Sequence, residues 1–205
     1  DMSLEVIKTM ASYKNICNYI HLPVQSGSNR ILKAMNRQHS REDYFKLISN
    51  VKKYIPDCAI SHDLICGFPT ETEQDHKETI SLMQSVKYSF GYMFKYSERP
   101  GTLAARKLKD DVNDKIKKRR LQEVVDLQQQ HSLERTKEFI GKTTEVLIEK
   151  ESKKSDKEWS GRNPQNTTVV FPKENYNIGD FVTVKIRECT SATLKGKAIG
   201  YSKNN

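Results

Sequence analysis

The sequence predicts an α/β unit built on parallel strands, followed by a small all-β module. Three observations carry this. Tyr19–Val24, Ala59–Cys66 and Tyr88–Tyr96 read as strands, and helical patterns separate them. Asp110–Ile140 is polar, Gln-rich and free of Gly and Pro, which predicts one long helix. After Gly141 the chain turns to short alternating strands split by polar turns such as Asn177-Ile178-Gly179-Asp180.

Leu4 to Met10 has the pattern of the end of an amphipathic helix. Tyr19–Val24 ends in Gln25-Ser26-Gly27-Ser28, after which Ile31, Leu32 and Met35 mark a helix. Ser26 and Ser28 either cap that helix or offer hydroxyl and amide contacts to a ribose or carboxylate. Tyr44, Ile48, Val51 and Ile55 lie at helical spacing and stop at Pro56.

The stretch Ser61–Glu71 organises the rest. Ala59–Cys66 is apolar enough for a strand buried on both faces. Gly67 and Pro69 turn the chain, since glycine reaches dihedrals closed to other residues and proline cannot extend a ladder. Thr70, Thr72 and the acids Glu71, Glu73 and Asp75 open a helix, with Thr72 and Asp75 at capping-box spacing. Ile80, Met83 and Val86 form its inward side. A loop so placed falls at the carboxyl edge of a parallel sheet, where α/β folds hold ligands. Tyr88, Phe90, Tyr92, Phe94 and Tyr96 then recur with period two, which predicts five rings on one strand face, ending in Ser97–Thr102. Three strands are too few for an eight-stranded barrel, so the sheet is open or further strands precede it.

The long helix shows a thin stripe of Ile116, Val124 and Leu127, with Gly141 as its stop. Its basic run, Lys115, Lys117, Lys118, Arg119 and Arg120, reads either as a solvated face or as an RNA contact. Beyond it, Thr143–Ile148, Thr167–Phe171, Phe181–Ile186 and Leu194–Ile199 suggest a small β-barrel or open roll of about 60 residues, a shape common among single-strand RNA platforms and equally common as an inert fold.

Lys and Arg number 35 against 26 acids, a formal charge of +9 and a pI near 9.3, which favours a polyanionic partner. The charge is shared: residues from Lys142 onward hold 12 basic and 8 acidic side chains, +4, leaving +5 before them. No apolar run is long enough to cross a bilayer and no secretory signal is present, so a cytoplasmic protein without a membrane partner is expected. Cys17, Cys58, Cys66 and Cys189 form no metal-ligand spacing and read as reduced thiols. The abrupt start, on a helical remnant, suggests a fragment.

Ser61-His62-Asp63 is no hydrolase triad, because neighbouring strand residues point to opposite faces. His21, His39, His76 and His131 are scattered and pair with no second ligand. Asp63 is more informative: a carboxylate within an apolar strand needs a bonded neighbour or a ligand cavity.

Four motifs in order resemble the radical S-adenosylmethionine methylthiotransferases, in particular their tRNA-modifying branch. They are His21-Leu22-Pro23-Val24-Gln25-Ser26-Gly27-Ser28-Asn29-Arg30, Leu32-Lys33-Ala34-Met35-Asn36-Arg37, Asp63–Glu73 and Phe94-Lys95-Tyr96-Ser97-Glu98-Arg99-Pro100-Gly101-Thr102. The part after Gly141, with Gly161-Arg162-Asn163 and Val169-Val170-Phe171-Pro172, resembles a TRAM domain.

The resemblance implies a partial radical-SAM α/β barrel over residues 1–109, a basic connecting helix over 110–141 and a TRAM RNA-binding barrel over 142–205. It implies S-adenosylmethionine and two 4Fe–4S clusters as cofactors, the tRNA anticodon stem-loop as substrate, and an electron donor such as flavodoxin or ferredoxin. The modified atom would be C2 of N6-isopentenyladenosine 3′ of the anticodon. Gln25 and Ser26 would lie near the cofactor's ribose or methionine, Ile65 and Gly67 beside its adenine, and Phe94 and Tyr96 would offer backbone contacts. Asp63 is added as a polar cofactor contact, and Arg162, Asn166, Lys195 and Lys197 as RNA contacts.

One departure is large. Family members hold their clusters on a CxxxCxxC loop and three further cysteines, and none of these occurs here. The chain is therefore expected to be a carboxyl-terminal part, inactive alone, with no catalytic or metal residue of its own. Three rival readings stand beside this one: a non-catalytic RNA-binding module, a methylthiotransferase acting on a ribosomal protein, and a structural α/β protein without a ligand.

Overall fold

The computed structural model describes residues 2–202. Three parallel strands, β1 (Tyr19–His21), β2 (Ala59–Cys66) and β3 (Phe90–Lys95), form a sheet in the order β1-β2-β3. Helix α1 (Leu4–Ser12) precedes β1, α2 (Asn29–Ala34) and α3 (Arg41–Tyr54) connect β1 to β2, and α4 (Glu73–Val86) connects β2 to β3. A short α5 (Leu103–Lys107) and the long α6 (Asp114–Lys137) lead to five strands: β4 (Thr143–Ser152), β5 (Ser155–Arg162), β6 (Thr168–Pro172), β7 (Phe181–Cys189) and β8 (Thr193–Tyr201). These close into a barrel in the order β4-β5-β6-β8-β7.

Local chemistry sets the boundaries. Ser40 with Asp43 and Thr72 with Asp75 form reciprocal capping boxes at the starts of α3 and α4. Ser28 precedes α2 but makes no side-chain cap bond; its hydroxyl donates to Asp75 across the fold. β1 ends at His21, ahead of Pro23, and the chain rejoins the sheet as a single bridge between Gln25 and Leu64.

The α/β core lies between the sheet and its helices. Ile20, Leu22, Ile60, Leu64 and Cys66 meet Tyr44, Ile48 and Val51 of α3 and Leu82, Met83 and Val86 of α4. Val124 of α6 is buried there too, but Ile116 is exposed, so the predicted stripe on α6 starts later than its first member. The barrel encloses Val146, Ile148, Val169, Phe171, Val182, Val184, Ile186 and Leu194.

Two expectations need correction. The barrel has five strands rather than four, because Ser155–Arg162 is a strand despite a polar sequence without alternation. The five period-two rings do not share one face. β3 holds only Phe90, Tyr92 and Phe94; Tyr88 is fully buried, its hydroxyl donating to that of Tyr44, and Tyr96 packs against Phe68 and Ile31.

Candidate functional site

Parallel pairing places Tyr19 and His21 of β1 opposite Ala59 and Ser61 of β2, and Phe90, Tyr92 and Phe94 of β3 opposite Ser61, Asp63 and Ile65. Residues in register share a face, so these side chains line the side of the sheet away from the packed helices. The other side carries Ile60, His62 and Leu64, and His62 bonds to Gln128 of α6. On the open side Tyr92 and Phe94 are 55% and 51% exposed, high for aromatic strand residues.

A polar row runs between these rings. Tyr19 Oη and Ser61 Oγ lie 2.7 Å apart, Ser61 Oγ lies 2.7 Å from His21 Nδ1, and His21 Nε2 faces Asp63 at 3.5 Å. Ser61 and Asp63 thus do meet a histidine, but it is His21 from the neighbouring strand. His62, between them in sequence, points into the core, where burial holds its imidazole down to about 4.

At the carboxyl ends of the strands three loops converge. Gln25 has a left-handed backbone (φ 72°), and its amide and carbonyl bridge Asp63 and Ile65. Among the described residues its side-chain amide has no hydrogen-bond partner. Ser26 is turned away from the open face, accepting from the Ser28 amide, while the Gly27 amide donates to Thr79 of α4. Asp75 gathers the hydroxyls of Ser28 and Thr72 and the Arg30 guanidinium. Burial alone would raise the Asp75 carboxyl; the bonds from Arg30, Thr72 and Ser28 outweigh it and hold the group well below the usual carboxylate range. The second and third loops meet where Phe68 packs edge-on against Tyr96, with ring centres 5.1 Å apart and Ile31 and Ile65 alongside.

The basic run of α6 divides. Lys118 is 69% exposed and pairs with Asp114, and Arg119 lies at the surface between Glu73 and Glu123. Lys117 and Arg120 are each only 4% exposed and bind Asp110 and Glu71, so neither is free to meet a phosphate. On the barrel, Arg162 donates to the Asn166 side chain at 2.6 Å, and Asn166 holds a left-handed turn (φ 59°). Lys195 and Lys197 are exposed on β8, and Lys197 stands opposite Lys185 of β7. Arg162 and Asn166 border a cavity of about 730 Å³ between the barrel, α6 and the amino-terminal end of the sheet, which Tyr19, Phe90 and Tyr92 also line. Sequence reasoning placed the ligand loops at the opposite end and had no signal for this cleft, which arises from the packing of the two parts.

Residues 1–83 match the Radical SAM superfamily, and residues 137–199 match the TRAM domain. A radical SAM stretch is thus followed in this chain by a TRAM barrel. All 205 residues are 71% identical to a tRNA-2-methylthio-N(6)-dimethylallyladenosine synthase of Christiangramia forsetii and 66% identical to one of Flavobacterium johnsoniae. The chain spans 43% of the length of each of these relatives. It also resembles the solved structure of coproporphyrinogen III oxidase from Escherichia coli, a radical SAM enzyme, with a TM-score of 0.54 and 16% identity over 98% of this chain and 50% of that one. That likeness concerns the fold alone.

The open face fits S-adenosylmethionine in kind: Ile65 and Phe94 offer an apolar surface, with the Asp63 carboxylate on the same side, while Gln25, bridged to Leu64, is buried beside it. Iron–sulfur clusters find no such fit, since no group of three His, Cys, Asp or Glu among the described residues could hold a metal. No helix among them is long and apolar enough to cross a membrane.

Proposed function

We propose that this chain is the part of a cytoplasmic tRNA methylthiotransferase that holds the cofactor-facing loops and the RNA-binding barrel. The whole protein would add a methylthio group to C2 of the N6-isopentenyladenosine 3′ of the anticodon. The supporting observation is the 71% identity along the entire chain to a protein named for that activity, with strand-end loops that converge as a nucleoside site requires. The working division is residues 1–109 for the sheet part, 110–141 for the connection and 142–205 for the barrel.

When bound, S-adenosylmethionine and two 4Fe–4S clusters held elsewhere in the whole protein supply the radical, the methyl group and the sulfur. A donor such as flavodoxin or ferredoxin supplies electrons. In this chain Ile65 and Phe94 flank the adenine, Gly67 and Tyr96 offer backbone atoms, and Gln25 and Asp63 meet the polar groups. Ser26 supports the first loop from behind. Lys118, Arg119, Arg162, Asn166, Lys195 and Lys197 face the tRNA phosphates, where such contacts set affinity and its dependence on salt.

The test is iron–sulfur reconstitution followed by assay of 5′-deoxyadenosine and mass spectrometry of the tRNA. The full-length protein is expected to form both products, and this chain alone neither. Turnover by the chain alone, or a modified ribosomal protein in place of modified tRNA, overturns the assignment. The closed barrel favours a second activity for the isolated chain: binding of tRNA that weakens steeply as salt rises.

A further inference from the structure

Two cations of α6, which their sequence context offers as RNA contacts, are built into the underside of the cofactor-facing loop. Gly67 turns the chain with φ 74°, and a Cβ there would lie 2.3 Å from Lys117 Cγ, so the lysine stem fills the space beside the turn. The Gly67 amide donates to both carboxylate oxygens of Glu71 at 3.1 Å. Arg120 Nη1 in turn donates to the Glu71 carboxylate and to the Glu71 carbonyl, each at 2.9 Å, while Nη2 reaches Glu73 at 3.2 Å. The side chains of Arg120 and Glu71 are 4% and 3% exposed. Lys117 Nζ binds Asp110 and lies 5.1 Å from the centre of the Tyr96 ring, which ties the third loop to the second.

We propose that Arg120 and Lys117 are positioning residues for the cofactor: α6 fixes the Gly67–Thr72 turn and the Tyr96 strand end in one geometry and makes no phosphate contact through these side chains. This rests on the reading of those loops as a S-adenosylmethionine site. A guanidinium that bridges one carbonyl and two carboxylates determines the path of the turn between them. Removing it breaks the bridge between the Glu71 carbonyl and the two carboxylates and leaves the buried Glu71 charge to the Gly67 amide alone. Displacing a binding loop by about 1 Å is enough to lose up to about a hundredfold in a reaction that depends on orientation.

The experiment uses the full-length iron–sulfur protein. Arg120→Met, Arg120→Lys and the double variant Glu71→Gln/Arg120→Met are compared by equilibrium dialysis of S-adenosylmethionine, by KM and kcat, and by filter binding of tRNA. Arg120→Met is expected to weaken cofactor binding and raise its KM by about tenfold or more, with tRNA affinity within about twofold of the parent. Arg120→Lys recovers part of the loss. The double variant removes both buried charges and so guards against simple unfolding; the cofactor defect must persist in it. Weakened tRNA binding with unchanged cofactor binding would make Arg120 an RNA contact and overturn the proposal, as would unchanged binding of both. If the unsubstituted protein binds no S-adenosylmethionine, the functional assignment itself falls, and that result is separate from any effect of the variants.

Discussion

In the barrel every strand has two neighbours, because β7 returns to β4; in the sheet β1 and β3 each have one. Phe171 is enclosed within the barrel, whereas Tyr92 and Phe94 stand on the open face of the sheet. A closed wall turns its inward side chains into core, and its exterior mixes charge with the exposed Ile199 and Tyr201 of β8. An open sheet keeps one face free for something other than its own helices. The exposed rings Tyr92 and Phe94 therefore stand beside the His21–Asp63 row, while Phe171 holds the barrel together.

Truncating one ring from each part puts this contrast to its hardest test. Phe171→Ala should cost about 3–5 kcal/mol, read by chemical denaturation, since it empties a packed barrel. If Phe94→Ala costs as much, the open face is core and the contrast fails.

Acid gives the next largest effect. All five histidines precede the barrel, and burial holds His62 at about 4 and His131 below its ordinary value. A depressed histidine favours the fold above the unfolded value of about 6.5. That stability is lost as pH falls from there toward 4, at up to about 1.4 kcal/mol per pH unit for each such group. Hydrogen exchange should show the α/β part loosening across this window, with the barrel spared; the reverse order would count against it.

Smaller again is the double change Lys195→Ala/Lys197→Ala. It should leave stability within about 0.5 kcal/mol and lower the salt slope of RNA binding by about 0.7 for each phosphate that is no longer neutralised. An unchanged slope would remove β8 from the interface. Phe94→Ala itself should cost under about 1 kcal/mol of stability, yet should weaken S-adenosylmethionine binding in the full-length protein.

Strand and helix periodicities were legible where one face is apolar, as in α3, α4 and β2. They failed at β5, where Ser160 and Gly161 are buried and Trp159 is half-buried among charged neighbours and no alternation shows. The row of five aromatics misled because period two says nothing of where a strand ends; Tyr88 and Tyr96 flank β3 and fold into separate clusters. Lys117 and Arg120 were illegible for another reason. Their neighbours in sequence are basic, and Glu71, the acid that buries Arg120, lies 49 residues away. Asp63 did carry a usable signal, a carboxylate in an apolar strand, and His21 could have been matched to it by aligning β1 and β2 in parallel register.

Helix α6 contains no Gly or Pro from Asp114 to Lys137. Near its start it grips the turn after β2 through Lys117 and Arg120, and near its end Thr136 donates to the Thr190 carbonyl in the barrel. Those footholds are some 19 residues apart, about 29 Å along an unbroken helix. The helix acts as a caliper: it sets the reach between the barrel and the turn after β2, and only a kink in that rod could change the gap.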